Sequence, residues 1–109
     1  MAPCLVTYTV DPIWVNGFSA SVAVTNRSII PPTGQVTMEL PENAAAQIAW
    51  NAILTVGNQW RPVLTLPAYH PNVVIGETYT FGFNGTYTGV YDPAYGFRLD
   101  GPLCDVVYN

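Results

Sequence analysis

Strict two-residue alternation restricts the fold of this chain more than any other feature. Between positions 18 and 25, Phe18, Ala20, Val22 and Val24 fall on one side of an extended backbone, and Ser19, Ser21, Ala23 and Thr25 on the other. That is the pattern of a half-buried strand. It recurs at 35–40, where Val36, Met38 and Leu40 alternate with Gln35, Thr37 and Glu39 before Pro41 stops it. Cys4 to Val10, Val63 to Leu66, Thr78 to Phe83, Phe97 to Leu99 and Leu103 to Val107 read the same way, with Tyr79, Phe81 and Phe83 sharing a face. The stretch from Ala44 to Ile53 is ambiguous, since its alanines favour helix, but Trp50, Ile53 and the Thr-Val that follows favour strand, and it is read as one strand. Around eight short strands separated by Gly, Pro and Asn predict an all-β fold, a sandwich of two antiparallel sheets of immunoglobulin-like or jelly-roll-like kind.

The 109 residues fit one module, 1–109 with its core at 4–104, and show no internal linker or repeat. Half of them are apolar, yet Gln47, Asn51 and Asn58 interrupt the longest apolar stretch well short of the roughly 18 to 20 residues that cross a bilayer. Charge is scarce, at 9% against an ordinary ~25%. There is no lysine, and Arg27, Arg61 and Arg98 are scattered through a chain of net charge -4. Such a field repels phosphate backbones and anionic lipid, so neither nucleic acid nor membrane is expected as a partner. Nothing in the sequence calls for more than a monomer.

Catalytic chemistry is poorly supplied. His70 is the only histidine, which leaves no His/Cys set for a zinc site and no partner for a triad. Asp11, Asp92, Asp100 and Asp105 lie in turns or near the ends, Glu39 and Glu77 project toward water by alternation, and Glu42 follows a proline. No pair of them suggests the acid and base of a glycosidase. The expectation is no enzyme, no metal and no cofactor. Asn26-Arg27-Ser28 and Asn84-Gly85-Thr86 match the glycosylation tripeptide, a signal too short to carry weight alone.

Aromatic residues are abundant instead, at 13% of the chain. Trp14 stands between Pro12 and Gly17 in the connection after the first strand, Trp50 lies beside Asn51, and Tyr69 sits in the proline-framed turn Pro67-Ala68-Tyr69-His70-Pro71. Rings held in this way either cap the ends of a sandwich or form an exposed stacking surface for the C–H faces of sugars. Cys4 and Cys104 bracket the whole domain. In a reducing compartment they would be buried thiols, and in an oxidising one they have the placing of a staple between the terminal strands.

Several ordered segments carry a resemblance: Cys4-Leu5-Val6-Thr7-Tyr8, Trp14-Val15-Asn16-Gly17-Phe18, Val22-Ala23-Val24-Thr25-Asn26, Ala49-Trp50-Asn51, Phe81-Gly82-Phe83-Asn84-Gly85 and Leu99-Asp100-Gly101-Pro102-Leu103-Cys104. Together they resemble the family 2 carbohydrate-binding modules, bacterial cellulose-binding domains attached to secreted polysaccharide hydrolases. The resemblance implies a Cys4–Cys104 disulfide, a secreted protein, and a flat face of three rings, Trp14, Trp50 and Tyr69, lying on polysaccharide. Tyrosine stands at the third place where tryptophan is usual. Gly76 occupies the place where the xylan-binding type has an arginine, which implies the flat platform of the crystalline-cellulose type. Of the amides that usually flank the rings only Asn84 is kept, the other places being Pro12, Ser21, Ile48 and Thr80. Gln35, after Gly34, stands where a buried tryptophan is common, and Trp60, in a stretch between Trp50 and Tyr69 that carries one inserted residue, either packs in its place or extends the surface.

The leading expectation is therefore a noncatalytic module that adsorbs to insoluble polysaccharide, cellulose first and chitin second, and holds an attached glycoside hydrolase near its substrate. Trp14, Trp50 and Tyr69 would stack on the sugar, with Asn84 and Asn16 contributing hydrogen bonds. The runner-up is an immunoglobulin-like protein-interaction domain with a degenerate sugar face. A small hydrolase ranks last.

Overall fold

The computed structural model describes residues 3–27, 35–55, 61–67, 73–99 and 102–109. Tyr69, His70, Trp60, Asp100 and the Gly57-Asn58 turn lie outside them. The described residues form nine strands: β1 (Cys4–Trp14), β2 (Gly17–Asn26), β3 (Gln35–Glu39), β4 (Ala44–Trp50), β5 (Ile53–Thr55), β6 (Val63–Thr65), β7 (Thr78–Tyr87), β8 (Tyr95–Leu99) and β9 (Asp105–Tyr108). They assemble into a five-stranded sheet, β4-β7-β2-β1-β9, and a four-stranded sheet, β5-β6-β3-β8. The all-β sandwich anticipated from alternation is the observed architecture.

The alternating residues meet in the middle. Val6, Tyr8, Phe18, Ala20, Val22, Val24, Phe81 and Phe83 come from the larger sheet, and Val36, Met38, Leu64, Phe97 and Leu99 from the smaller one; all are buried. Each large apolar side chain removed from water here stabilises the fold by about 1.5–3 kcal/mol before entropy is counted. Phe18 meets Phe83 edge-on at 5.8 Å, and Tyr8 lies 5.6 Å from Phe97 across the sandwich. Asn26 is the one polar residue in the described core. Its Nδ2 donates to the Val73 carbonyl at 3.0 Å, and its complete burial takes it away from the surface that glycosylation would require.

Two readings of the sequence need correction. The stretch from Ala44 to Ile53 is two strands: β4 ends at Trp50 and β5 starts in the opposite sheet. Asn51, at φ 58°, turns the chain between them. The sheets are not wholly antiparallel, because β9 runs parallel to β1, pairing Leu5 with Asp105 and Tyr8 with Tyr108. Gln35 is exposed and Val36 takes the inward place, as the alternation at 35–40 predicts.

The parallel pairing has a direct consequence. It sets the residues just before Leu5 and Asp105 side by side, and these are Cys4 and Cys104, joined as a disulfide with 4.7 Å between their Cα atoms. A link across 100 residues of sequence contributes ~4.7 kcal/mol in the chain-entropy account. Nearby, Arg27 and Asp105 form an ion pair at 2.9 Å.

Candidate carbohydrate-binding face

Both described tryptophans stand on the outer face of the five-stranded sheet, and each reaches it through an irregularity in its own strand. In β1, Val10 pairs with Ala20 and Ile13 with Phe18, so two residues, Asp11 and Pro12, oppose Ser19 alone. In β4, Ala46 pairs with Gly85 and Ile48 with Asn84, leaving Gln47 as the extra residue. One inserted residue reverses which face every later side chain takes. Trp14 and Trp50, which regular alternation from Val10 and from Ala46 would send into the core, are turned outward. The peptide bond between Asp11 and Pro12 is cis.

Each ring rests on a glycine of the neighbouring strand. Trp14 pairs with Gly17 of β2 and Trp50 with Gly82 of β7. A Cβ on Gly17 would collide with Nε1, Cε2 and Cζ2 of Trp14, and one on Gly82 with Cζ2 and Cε2 of Trp50. Each indole fills the space of the missing side chain and buries the glycine. The ring itself stays accessible, Trp14 at 47% and Trp50 at 42%. An aromatic ring supported on one side and open on the other keeps its apolar area available with little entropy left to lose on binding.

Backbone contacts hold the strand ends that carry these rings. Trp14 and Gly17 close the β1–β2 hairpin around Val15 and Asn16, with Asn16 at φ 65°, a left-handed conformation that asparagine tolerates. The Asn16 carbonyl accepts the Tyr87 N–H at 3.2 Å, and the Tyr87 hydroxyl donates to the Trp14 carbonyl at 2.9 Å. At the other end of β7, the Tyr79 hydroxyl donates to the carbonyl of Asn51, next to Trp50, at 2.6 Å. One strand thus clamps both ring-bearing segments through tyrosines at its two ends.

Asn84 lies midway between the rings. Gly82, Asn84 and Thr86 share the outer face of β7; Gly82 lies under Trp50, and Thr86 pairs with Gly17, on which Trp14 rests. Strand rise and strand spacing then place the two indoles roughly 14 Å apart, wider than a single sugar ring. Ser19 and Ile48 flank Asn84 on either side, Ile48 at 60% exposure. The lane between the rings therefore holds an amide, a hydroxyl and an aliphatic side chain. Asn16 is exposed at the hairpin tip beside Trp14. Of the five anticipated binding residues the structure brings Trp14, Trp50, Asn84 and Asn16 to one face; Tyr69 lies outside the described residues. The residues that sequence reasoning missed are Gly17, Gly82, Tyr79 and Tyr87. The two glycines did carry a signal, since a glycine inside a strand pattern marks close approach by another group.

Three of the described carboxylates stand apart. Asp105 pairs with Arg27, Glu39 with Arg61 at 3.2 Å, and Glu77 accepts the Val74 N–H at 3.1 Å, at three separate places. Among the described residues no group of three or more His, Cys, Asp or Glu is placed to hold a metal ion.

Comparison with known proteins points the same way. The model of the family described as cellulose binding domain matches residues 4–104. Endoglucanase B of Cellulomonas fimi is 26% identical over 103 residues, which cover 93% of this chain and 10% of that protein. The chain thus spans about a tenth of that relative's length. Among solved structures, the cellulose-binding family 2 carbohydrate-binding domain from ScLPMO10C superposes with a TM-score of 0.71 at 26% identity, covering 91% of this chain and 98% of that one. The chitin-binding domain of Chi18aC from Streptomyces coelicolor gives 0.71 at 23% identity, with 94% of each chain covered, a likeness of fold.

Proposed function

The chain belongs to the family of cellulose binding domains, noncatalytic carbohydrate-binding modules, and from that premise we propose that it adsorbs to insoluble polysaccharide through Trp14, Trp50 and Tyr69. Cellulose is the first ligand and chitin the second. The observation that carries this reading is the pair of half-exposed indoles, each seated on a glycine of one sheet face with Asn84 between them. Stacking on the C–H faces of sugar rings supplies the affinity, while Asn84 and Asn16 offer amides to hydroxyl groups.

The spacing of the two rings suits an extended polymer chain better than an isolated sugar. Adsorption would keep an attached glycoside hydrolase at its substrate by raising its effective concentration, without touching the chemical step. The terminal disulfide and the endoglucanase relative support an extracellular setting.

A depletion isotherm on microcrystalline cellulose, with chitin and insoluble xylan beside it, tests the proposal. Saturable depletion is expected on cellulose, and the double variant Trp14→Ala with Trp50→Ala should lose it while keeping the folded circular-dichroism spectrum. Retained adsorption by that variant would sink the ring platform. The exposed Ile48 favours the alternative of a protein partner, and absence of depletion from folded wild-type protein would move the assignment there.

A further inference from the structure

A hollow opens on the tryptophan face itself, at the start of β4. Trp50 and Ile48 cover the outer side of that strand near its end, but before the bulge the outward residue is Ala45, opposite Thr86. Its single methyl leaves the sheet bare there. The result is a concavity of about 430 Å³ lined by Asn16, Glu42, Asn43, Ala45, Thr86 and Thr88. That volume lies within the roughly 300–1,000 Å³ typical of small-ligand sites.

The sides of the hollow are tied in place. Nδ2 of Asn43 donates to the carbonyls of Thr88 at 2.6 Å and Val90 at 2.8 Å, and the Thr88 N–H donates to the Asn43 carbonyl at 2.9 Å. These three bonds join the chain after β7 to the chain before β4. The Asn16 carbonyl accepts the Tyr87 N–H at 3.2 Å, which holds the β1–β2 tip as another side.

The position of the hollow relative to the rings decides what could enter it. Trp14 rests on Gly17; Thr86 pairs with Gly17 one strand toward β4, and Ala45 lies one strand further. The hollow is thus offset from the seat of Trp14 by about 5–10 Å across the strands, whereas the line from Trp50 to Trp14 runs mainly along them. A chain stacked on both indoles passes the hollow at its flank.

We propose that the hollow takes a single neutral sugar carried as a branch on a β-glucan whose backbone lies across Trp14 and Trp50, an inference that rests on the rings carrying that backbone. Thr86 and Thr88 bring hydroxyls that both donate and accept, and Asn16 brings an amide, the groups that meet sugar hydroxyls. Ala45 offers apolar surface to a C–H face. Among the described residues lining the hollow there is no arginine or histidine, so an acidic branch finds no counter-charge in a chain of net charge -4. Plain cellulose carries no branch, and adsorption to it leaves the hollow unused.

Amide shifts of ¹⁵N-labelled protein, titrated with cellotetraose and with the xyloglucan oligosaccharide that bears α-xylose branches on the same backbone, test the proposal. The branched ligand should bind about tenfold tighter, as one or two added hydrogen bonds supply, and should shift Ala45 and Thr88, which cellotetraose should leave in place. Ala45→Phe fills the hollow and should bind both ligands equally. Thr88→Val, at an exposed position, should reduce the advantage of the branched ligand. Equal affinity of the wild type for both ligands, unshifted Ala45 and Thr88, or a full advantage kept by the folded variants would overturn the proposal. If Ala45→Phe does not fold, Thr88→Val decides. Failure of the ring platform shows separately, as absent depletion of wild-type protein on microcrystalline cellulose; depletion there without preference for the branched ligand removes the hollow alone.

Discussion

Trp50 and Gly82 are cross-strand partners in which the ring of one occupies the side-chain space of the other. Trp14 and Gly17 repeat the arrangement one strand away. Glycine at these two places seats the rings that we propose bind polysaccharide, because any Cβ would lift an indole off the sheet.

Gly17→Ala isolates that role. The three nearest atoms its Cβ would meet all belong to the Trp14 side chain, so the ring must swing aside while the backbone stays. Adsorption to cellulose should weaken about tenfold, equivalent to ~1.4 kcal/mol, while urea stability changes by less than about 1 kcal/mol. Gly82→Ala should differ, because its Cβ would also come 2.7 Å from the Ala20 carbonyl oxygen. That backbone contact cannot move freely, and a further stability loss of about 1–3 kcal/mol is expected. Isotherms and urea curves on both variants make the comparison; undiminished adsorption by Gly17→Ala would show that the ring does not depend on the glycine.

Deleting Gln47 should remove the bulge in β4 and keep the register, because Ile48 then follows Ala46 directly, still opposite Asn84, and Trp50 stays over Gly82 on the outer face. The expected result is adsorption and tryptophan emission like wild type. Gln47→Ala, which keeps the bulge, should behave the same way. Lost adsorption by the folded deletion variant would show that the bulge itself, beyond the register it sets, aims Trp50.

Alkaline stability follows from the tyrosine cluster. The Tyr8 and Tyr91 hydroxyls meet at 2.9 Å, and the Tyr108 ring stands edge-on to Tyr8 at 5.9 Å. Burial, reinforced by Tyr91, pushes Tyr8 ionisation far above the ordinary value of 10.0, and burial also raises Tyr91 and Tyr108. The folded chain then holds protons that the unfolded chain releases above pH 10, so this contribution is complete below that pH and is lost as pH rises through it. Urea midpoints between pH 8 and 11 should be level at first and then fall. Tyr8→Phe should lower stability by about 1 kcal/mol at pH 8 through the lost hydrogen bond and flatten the alkaline decline; an equally steep decline in that variant would remove Tyr8 as its source.

The strands were legible because alternation is a local property of an extended chain. Phe18 to Val24 and Val36 to Leu40 announce their buried faces whatever they pack against. Trp14 was harder to place. It reads as part of a loop, yet it ends β1, and a side chain's face beyond a bulge depends on register with a partner that the linear sequence does not display. The division of 44–53 between two sheets was hidden for a similar reason, since Asn51 acts through a backbone angle that its residue type allows without requiring.

The sequence by itself determined an all-β chain, the inward residues of most strands, the scarcity of catalytic groups, and through resemblance the rings and the terminal disulfide. Only the tertiary structure decided that β9 runs parallel to β1, that Trp14 and Trp50 face outward over Gly17 and Gly82, and that Asn16, Ala45 and Thr88 line one cleft. The physical reason is range. Alternation and turn chemistry act between neighbours in the chain, whereas pairing partner, register and the opposite wall of a cleft are settled by contacts between residues far apart in sequence.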